Sequence, residues 1–193
     1  MGKGRLEAFS DGVIAIIITI MILELRIPER GELVSLKPLI PELLSYLLSF
    51  VFLGIYWNNH HHLLHAIKEV NGASLWANLH LLFWLSLIPF VTAWMSHNNF
   101  TQWTVASYGF VALMAAIAYT ILLKSLIRDT DKNAKLAMAI GKDTKGKLSL
   151  LLYVLGILFS FVQPMIGLAL YATVSVIWFI PDSRIEKIIQ KEN

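Results

Sequence analysis

The sequence predicts an all-α integral membrane protein, a single domain of six transmembrane helices over residues 1–193 with both termini cytoplasmic. Three observations carry that expectation. Of 193 residues, 56% are hydrophobic and 15% charged, far more apolar surface than one soluble core of this size needs. The charges gather at a few places, and the apolar stretches between them run about 17 to 25 residues, near what a hydrocarbon layer of about 30 Å requires. Lysine and arginine also alternate in density from one connection to the next, as they do when cytoplasmic loops retain them.

The first span is expected at residues 5–26, stopping before Pro28, about 33 Å long as a helix. A cleavable leader is the other reading of Lys3, Arg5 and the run from Val13 to Leu23. Asp11 interrupts that run, and "ELRIPER" offers no small-x-small cleavage site, so the span is expected to remain in the protein. The second span is expected at residues 41–67, with Pro41 in its first turn, where a missing N–H costs nothing. The third, residues 74–95, contains Pro89, which frees the carbonyl of Leu85 and should bend the helix. The fourth is expected at residues 103–126. Two shorter spans, 147–163 and 165–180, meet at a tight turn on Pro164, and at about 1.5 Å per residue they barely cross a bilayer. Residues 127–146 read as a solvated cytoplasmic loop and 181–193 as a cytoplasmic tail.

With the N-terminus inside, the inner side collects Lys3 and Arg5, then Lys68, then Lys124, Arg128, Lys132, Lys135, Lys142, Lys145 and Lys147, then Arg184, Lys187 and Lys191. Only Arg26, Arg30 and Lys37 fall outside, which also favours an even number of spans. Trp94, Trp103 and Trp178 sit near span ends, where indoles suit the interface. The chain has no cysteine, which removes disulfides, thiolate metal sites and a cysteine nucleophile. A net charge of +3 is too small to suggest a nucleic-acid partner.

Three stretches invite chemistry. "GKDTKGKL", residues 141–148, nearly matches a phosphate-binding loop, but Leu148 stands where the magnesium-holding hydroxyl belongs and no strand precedes it. It reads as a basic linker. In "WNNHHHLLHAI", residues 57–67, His61 and His65 are one helical turn apart and could chelate a metal. Six histidines in all are too few for a histidine-box membrane enzyme, so the cluster reads as a polar cytoplasmic helix end, with no metal or cofactor assigned. In "WANLHLLFWLSLIPF", residues 76–90, Asn78 and His80 are polar groups that need partners, expected on another helix.

The first span raises the sharpest question. Asp11 lies about 9 Å inside Arg5, and an aspartate at mid-bilayer costs about 2.5–3.5 kcal/mol, somewhat less at this depth. At 100° per residue, Ile16, Thr19, Ile20 and Leu23 fall within about 100° of one another, with Phe9 and Gly12 extending the stripe. Glu7, Ser10 and Asp11 lie on the opposite side. Geometry alone leaves both faces open: the carboxylate could line an ion path, or the isoleucine stripe could line it while Asp11 is buried in protein.

These residues resemble the transmembrane protein 175 family of lysosomal potassium channels and their bacterial homologues. The resemblance rests on Arg5 followed by Phe9-Ser10-Asp11 and an apolar helix carrying Ile16 and Thr19, on Trp57 and His60 as W-x-x-H, and on Asn78 with Pro89 eleven residues later. It covers the six-span layout and motifs in the first three spans. It implies a homotetramer in a bacterial plasma membrane, multi-pass, with the first helix lining a central pore. Ile16 would then be the apolar gate, Ile20 and Leu23 further apolar rings, and Thr19 a hydroxyl ring. Asp11 would face away from the lumen, in a polar network with Ser10 and Arg5, Trp57, His60 and Asn78. Potassium and other monovalent cations would be the permeating partners. No T-V-G-Y-G filter is present, so only modest discrimination among them is expected. The rival expectations are a proton-coupled secondary transporter relaying through Asp11 and the histidine cluster, a metal-dependent membrane enzyme built on His60, His61, His62 and His65, and a non-conducting scaffold.

Overall fold

The computed structural model describes residues 3–28, 31–67, 70–127 and 143–179. Among them every regular element is helical. Helix α1 spans Lys3–Leu23; a 3-10 segment at Leu33–Leu39 leads into α2, Ile40–His65; α3 spans Gly72–Ser86, α4 Ile88–His97, α5 Gln102–Ile127, α6 Thr144–Ser160 and α7 Pro164–Phe179. Among the described residues four segments are long and apolar enough to cross a membrane: Lys3–Leu23, Leu33–His65, Gly72–His97 and Gln102–Ile127. Helices α6 and α7, with 17 and 16 residues, are shorter. Most of the expected loop 127–146 and the whole tail 181–193 lie outside the described residues.

Local chemistry sets the helix ends. Asn71 caps α3 by accepting a hydrogen bond from the Ser74 amide (2.9 Å), so the helix starts two residues before the expected span. Asp143 caps α6 in the same way through the Gly146 amide (2.9 Å). The helix therefore begins at Thr144 rather than Lys147, and its N-terminal amides are turned toward the chain's own carboxylate. The third span is two helices. Leu87 separates them, its amide tightened onto Trp84 O (3.2 Å), and Pro89 sits in the first turn of α4. This is the bend expected of a proline that cannot donate to Leu85.

Contacts fix the antiparallel order. At one end of the bundle, the Lys3 ammonium donates to the carbonyls of His65 and Ile67 (3.2 and 3.1 Å), tying the start of α1 to the end of α2. There too Ser74, at the start of α3, meets Ser125 near the end of α5 (3.1 Å). At the other end Arg26 pairs with the buried Glu42 (3.1 Å), which also lies 3.9 Å from His97 at the close of α4. Buried carboxylates need such company.

Helix α5 is the inner post of the bundle. Ala106, Gly109, Ala112, Ala115 and Ala118 are buried along it, and small side chains let neighbouring helices approach. The Tyr171 ring from α7 fills the space beside Gly109 and Gly156; a Cβ at either position would overlap it. Between α2, α4 and α5, the hydroxyls of Ser49, Thr92 and Tyr108 satisfy one another inside the apolar core, with Ser49 2.7 Å from Thr92 and 3.2 Å from Tyr108.

Two expectations about side chains change. His80 finds its partner within its own helix, accepting from Trp84 Nε1 (2.9 Å), because residues four apart share a face. Trp178 is not only an interface residue: it is half-buried and donates to Ser149 (2.7 Å), joining α7 to α6.

Candidate functional site

Helix α1 presents different chemistry on different faces. The face carrying Leu6, Ser10, Ile14, Ile17 and Met21 is buried against the bundle. About 120° around the helix, at 100° per residue, the stripe of Ile16, Thr19, Ile20 and Leu23 is uncovered. Ile16 is 59% exposed and Leu23 79%, with Ile20 at 43%. Four large or β-branched side chains left this exposed along one stripe are not a finished core. Thr19 donates its hydroxyl proton to the Ile16 carbonyl (2.9 Å), so what the side chain offers outward is oxygen lone pairs, the polarity a cation attracts. Beside the stripe an open, mostly apolar groove of about 490 Å³ runs between Ile16 and Ile20 of α1 and Pro89, Phe90 and Ala93 of α4.

The buried face holds a directed chain of hydrogen bonds. Ser10 gives its proton to the Leu6 carbonyl four residues back (2.8 Å). Its oxygen must therefore accept from Asn78 Nδ2 (2.9 Å), which fixes Asn78 with its amide toward α1 and its carbonyl toward α2. That carbonyl lies 2.7 Å from His60 Nε2, so the imidazole carries a proton on Nε2 and donates it. Ser10, Asn78 and His60 are fully buried, and three helices meet at this one thread. His60 Nδ1 is buried without a partner among the described residues.

Asp11 belongs to a second contact. Its carboxylate accepts from Trp57 Nε1 (3.0 Å), in a more open setting on the flank of α1 and α2. The structure thus brings Ser10, Asn78 and His60 together and pairs Asp11 with Trp57. Arg5 and Phe9 are exposed and take part in neither set. One residue of this region escaped the sequence reading. Glu7 lies one turn before Asp11, its carboxylate 3.1 Å from His61 Nδ1 and 3.8 Å from His65 Nε2. Its helical angle had placed it on the polar side, but only the antiparallel packing of α1 on α2 names its partners.

Comparison with known proteins bears on this arrangement. A family described as "Endosomal/lysosomal potassium channel TMEM175" matches residues 5–89, the segment that carries α1, α2, α3 and the Pro89 bend. A protein from Chryseobacterium sp. (strain P1-3), named a potassium channel, is 56% identical over 193 residues, all of both chains. A human protein named "Endosomal/lysosomal proton channel TMEM175" is 38% identical over 96 residues, 43% of this chain and 19% of that one. The fold is similar to the crystal structure of a lysosomal potassium-selective channel TMEM175 homolog from Chamaesiphon minutus, with a TM-score of 0.81 and 27% identity over 93% of this chain and 97% of that one.

Proposed function

Since the chain belongs to the TMEM175 family, we propose that it forms a potassium-permeable cation channel. The subunit is read as six transmembrane helices, α3 and α4 together making the third, with both termini cytoplasmic. Four subunits surround an axis lined by α1, in a bacterial plasma membrane. The observation that carries this reading is the bare stripe of α1. Symmetric copies give such a stripe an occupant, since four α1 helices would place Ile16, Ile20 and Leu23 as apolar rings with Thr19 as a hydroxyl ring between them.

Rings of this kind work differently from a carbonyl cage. A narrow apolar constriction excludes water and closes by dewetting, so a permeant cation sheds part of its hydration there. Larger monovalent ions hold that water less tightly, which favours potassium over sodium by a modest factor. Ser10, Asp11, Trp57, His60 and Asn78 hold the back of α1 in place, and Arg5 and Phe9 extend the motif toward the cytoplasmic mouth.

The human relative's printed name favours a second reading, proton conduction. A proton relay through Asp11 and the histidine cluster lacks continuity: no hydrogen bond joins Asp11 to a histidine among the described residues. The family is one of channels, not enzymes, and the metal-dependent enzyme gains no support from it.

Ion flux from liposomes tests the reading. Wild-type protein should carry potassium under a potassium gradient at symmetric pH, in unitary steps under voltage clamp. Ile16→Asn should raise conductance severalfold and reduce the preference for potassium over sodium. Saturating flux without unitary steps would instead favour a transporter, and a current carried only by protons would favour the second reading.

A further inference from the structure

The motif residues leave one polar cluster unused. Glu7 on α1 and His61 and His65 on α2 offer one ligand atom each, and the three atoms lie within 4.8 Å of one another. The carboxylate Oε1 is 3.1 Å from His61 Nδ1 and 3.8 Å from His65 Nε2. Neighbouring ligands around a tetrahedral zinc ion, each about 2.0–2.1 Å from the metal, stand roughly 3.3–3.4 Å apart. The two carboxylate–imidazole spacings bracket that edge, and all three ligand atoms lie within 4.8 Å of one another, so closing the set on an ion asks for side-chain shifts of at most about 1.5 Å.

We propose that Glu7, His61 and His65 form a binding site for a borderline-soft divalent cation of the zinc class, which fastens α1 to α2 at the end of the bundle where α1 begins. The donor set supports the class. Two imidazoles and one carboxylate suit zinc, cobalt or nickel, whereas magnesium and calcium take six or more oxygens. Accessibility supports it as well: the His61 and His65 side chains are 39% and 51% exposed, so an ion can enter and a water can take the fourth position.

The surroundings leave the carboxylate available. The nearby ammonium of Lys3 is held by the carbonyls of His65 and Ile67, and it forms no ion pair with Glu7 among the described residues. The His61 and His65 rings are already adjacent, with centroids 4.5 Å apart, and the Trp57 ring stacks on His61 at 6.0 Å. These contacts limit the rotation that binding would have to freeze. Because the two histidines come from α2 and the carboxylate from α1, binding links two helices instead of decorating one.

The site can be tested without measuring ion conduction. Full-length, tag-free protein in detergent is titrated with zinc by calorimetry and with cobalt by visible absorption. The expected result is one zinc per subunit, a cobalt band of tetrahedral intensity, and a zinc-induced rise in the unfolding midpoint. Millimolar magnesium should not compete. Glu7→Gln, His61→Gln and His65→Gln should each weaken zinc binding at least tenfold, while His62→Gln, beside the site but outside it, should leave it unchanged. Absence of stoichiometric zinc or of the cobalt band in wild-type protein would overturn the proposal, whatever the variants do. Binding that survives the double variant His61→Gln/His65→Gln, or that is lost equally in His62→Gln, would overturn it too.

Discussion

Ser10 shows how one proton fixes a neighbourhood. Because its hydroxyl is spent on Leu6, the orientation of Asn78 and the proton on His60 Nε2 both follow. Removing the middle member therefore costs more than one bond. Asn78→Leu should leave His60 buried and unpaired and strip Ser10 of its donor while its bond to Leu6 remains, destabilising the fold by about 1–3 kcal/mol, read as a lower unfolding midpoint in detergent. An unchanged midpoint would mean that the thread is incidental. Asp11→Asn keeps an oxygen that can accept from Trp57 but loses the charge on that hydrogen bond. Its effect should fall on assembly or gating, read by size-exclusion and flux, with ion preference retained. At this scale the motif was legible as polar groups that needed company. The pairing was not, because Ser10 and Asp11 are adjacent in sequence yet about 100° apart on the helix, and one answers to α3 while the other answers to α2.

Helices were legible where a residue type imposes its own geometry. Pro89 announces a broken third span, and Pro41 the first turn of α2, because a missing N–H has the same consequence in any surroundings. Glycines in apolar helices carry no such message until the neighbour is known. Gly109 and Gly156 stand inside hydrophobic runs with nothing in the sequence to mark them, yet both make room for Tyr171. Gly109→Val should force that ring out of place and destabilise the α5, α6 and α7 unit by about 1–3 kcal/mol. Thermal unfolding checks this, and pairing the substitution with Tyr171→Ala should recover part of the loss. Asn71 was missed for a related reason. An apolar count starts a span where polar residues stop, whereas a cap lies among the polar residues before it.

At the scale of the whole molecule, one chain leaves more apolar surface bare than a soluble protein tolerates, and on the channel reading two kinds of neighbour cover it. Lipid suits the scattered outward positions of α2, such as Leu44 and Leu47. The α1 stripe differs in having a hydroxyl among its isoleucines, and on the channel reading it is covered by copies of itself. Native mass measurement should then find four chains of 21.8 kDa, and a stable monomer or dimer that still conducts would contradict the arrangement. The stripe was readable from the sequence because helical angle depends only on spacing. What it faces was not readable, since isoleucines serve a lipid contact, a core or a constriction equally well.

The absence of cysteine lets single introduced thiols report which face of α1 lines the ion path. Ile16→Cys, Ile20→Cys and Ile22→Cys place one thiol each on α1, all at positions exposed in the subunit, but Ile22 lies about 120° away from Ile16 around the helix. Potassium flux through each variant is followed before and after a permeant thiol-reactive cation such as silver. If the Ile16 stripe lines the axis, silver abolishes flux through Ile16→Cys and Ile20→Cys and spares Ile22→Cys. Block at Ile22→Cys with Ile16→Cys untouched would put the other face of α1 on the axis and contradict that arrangement.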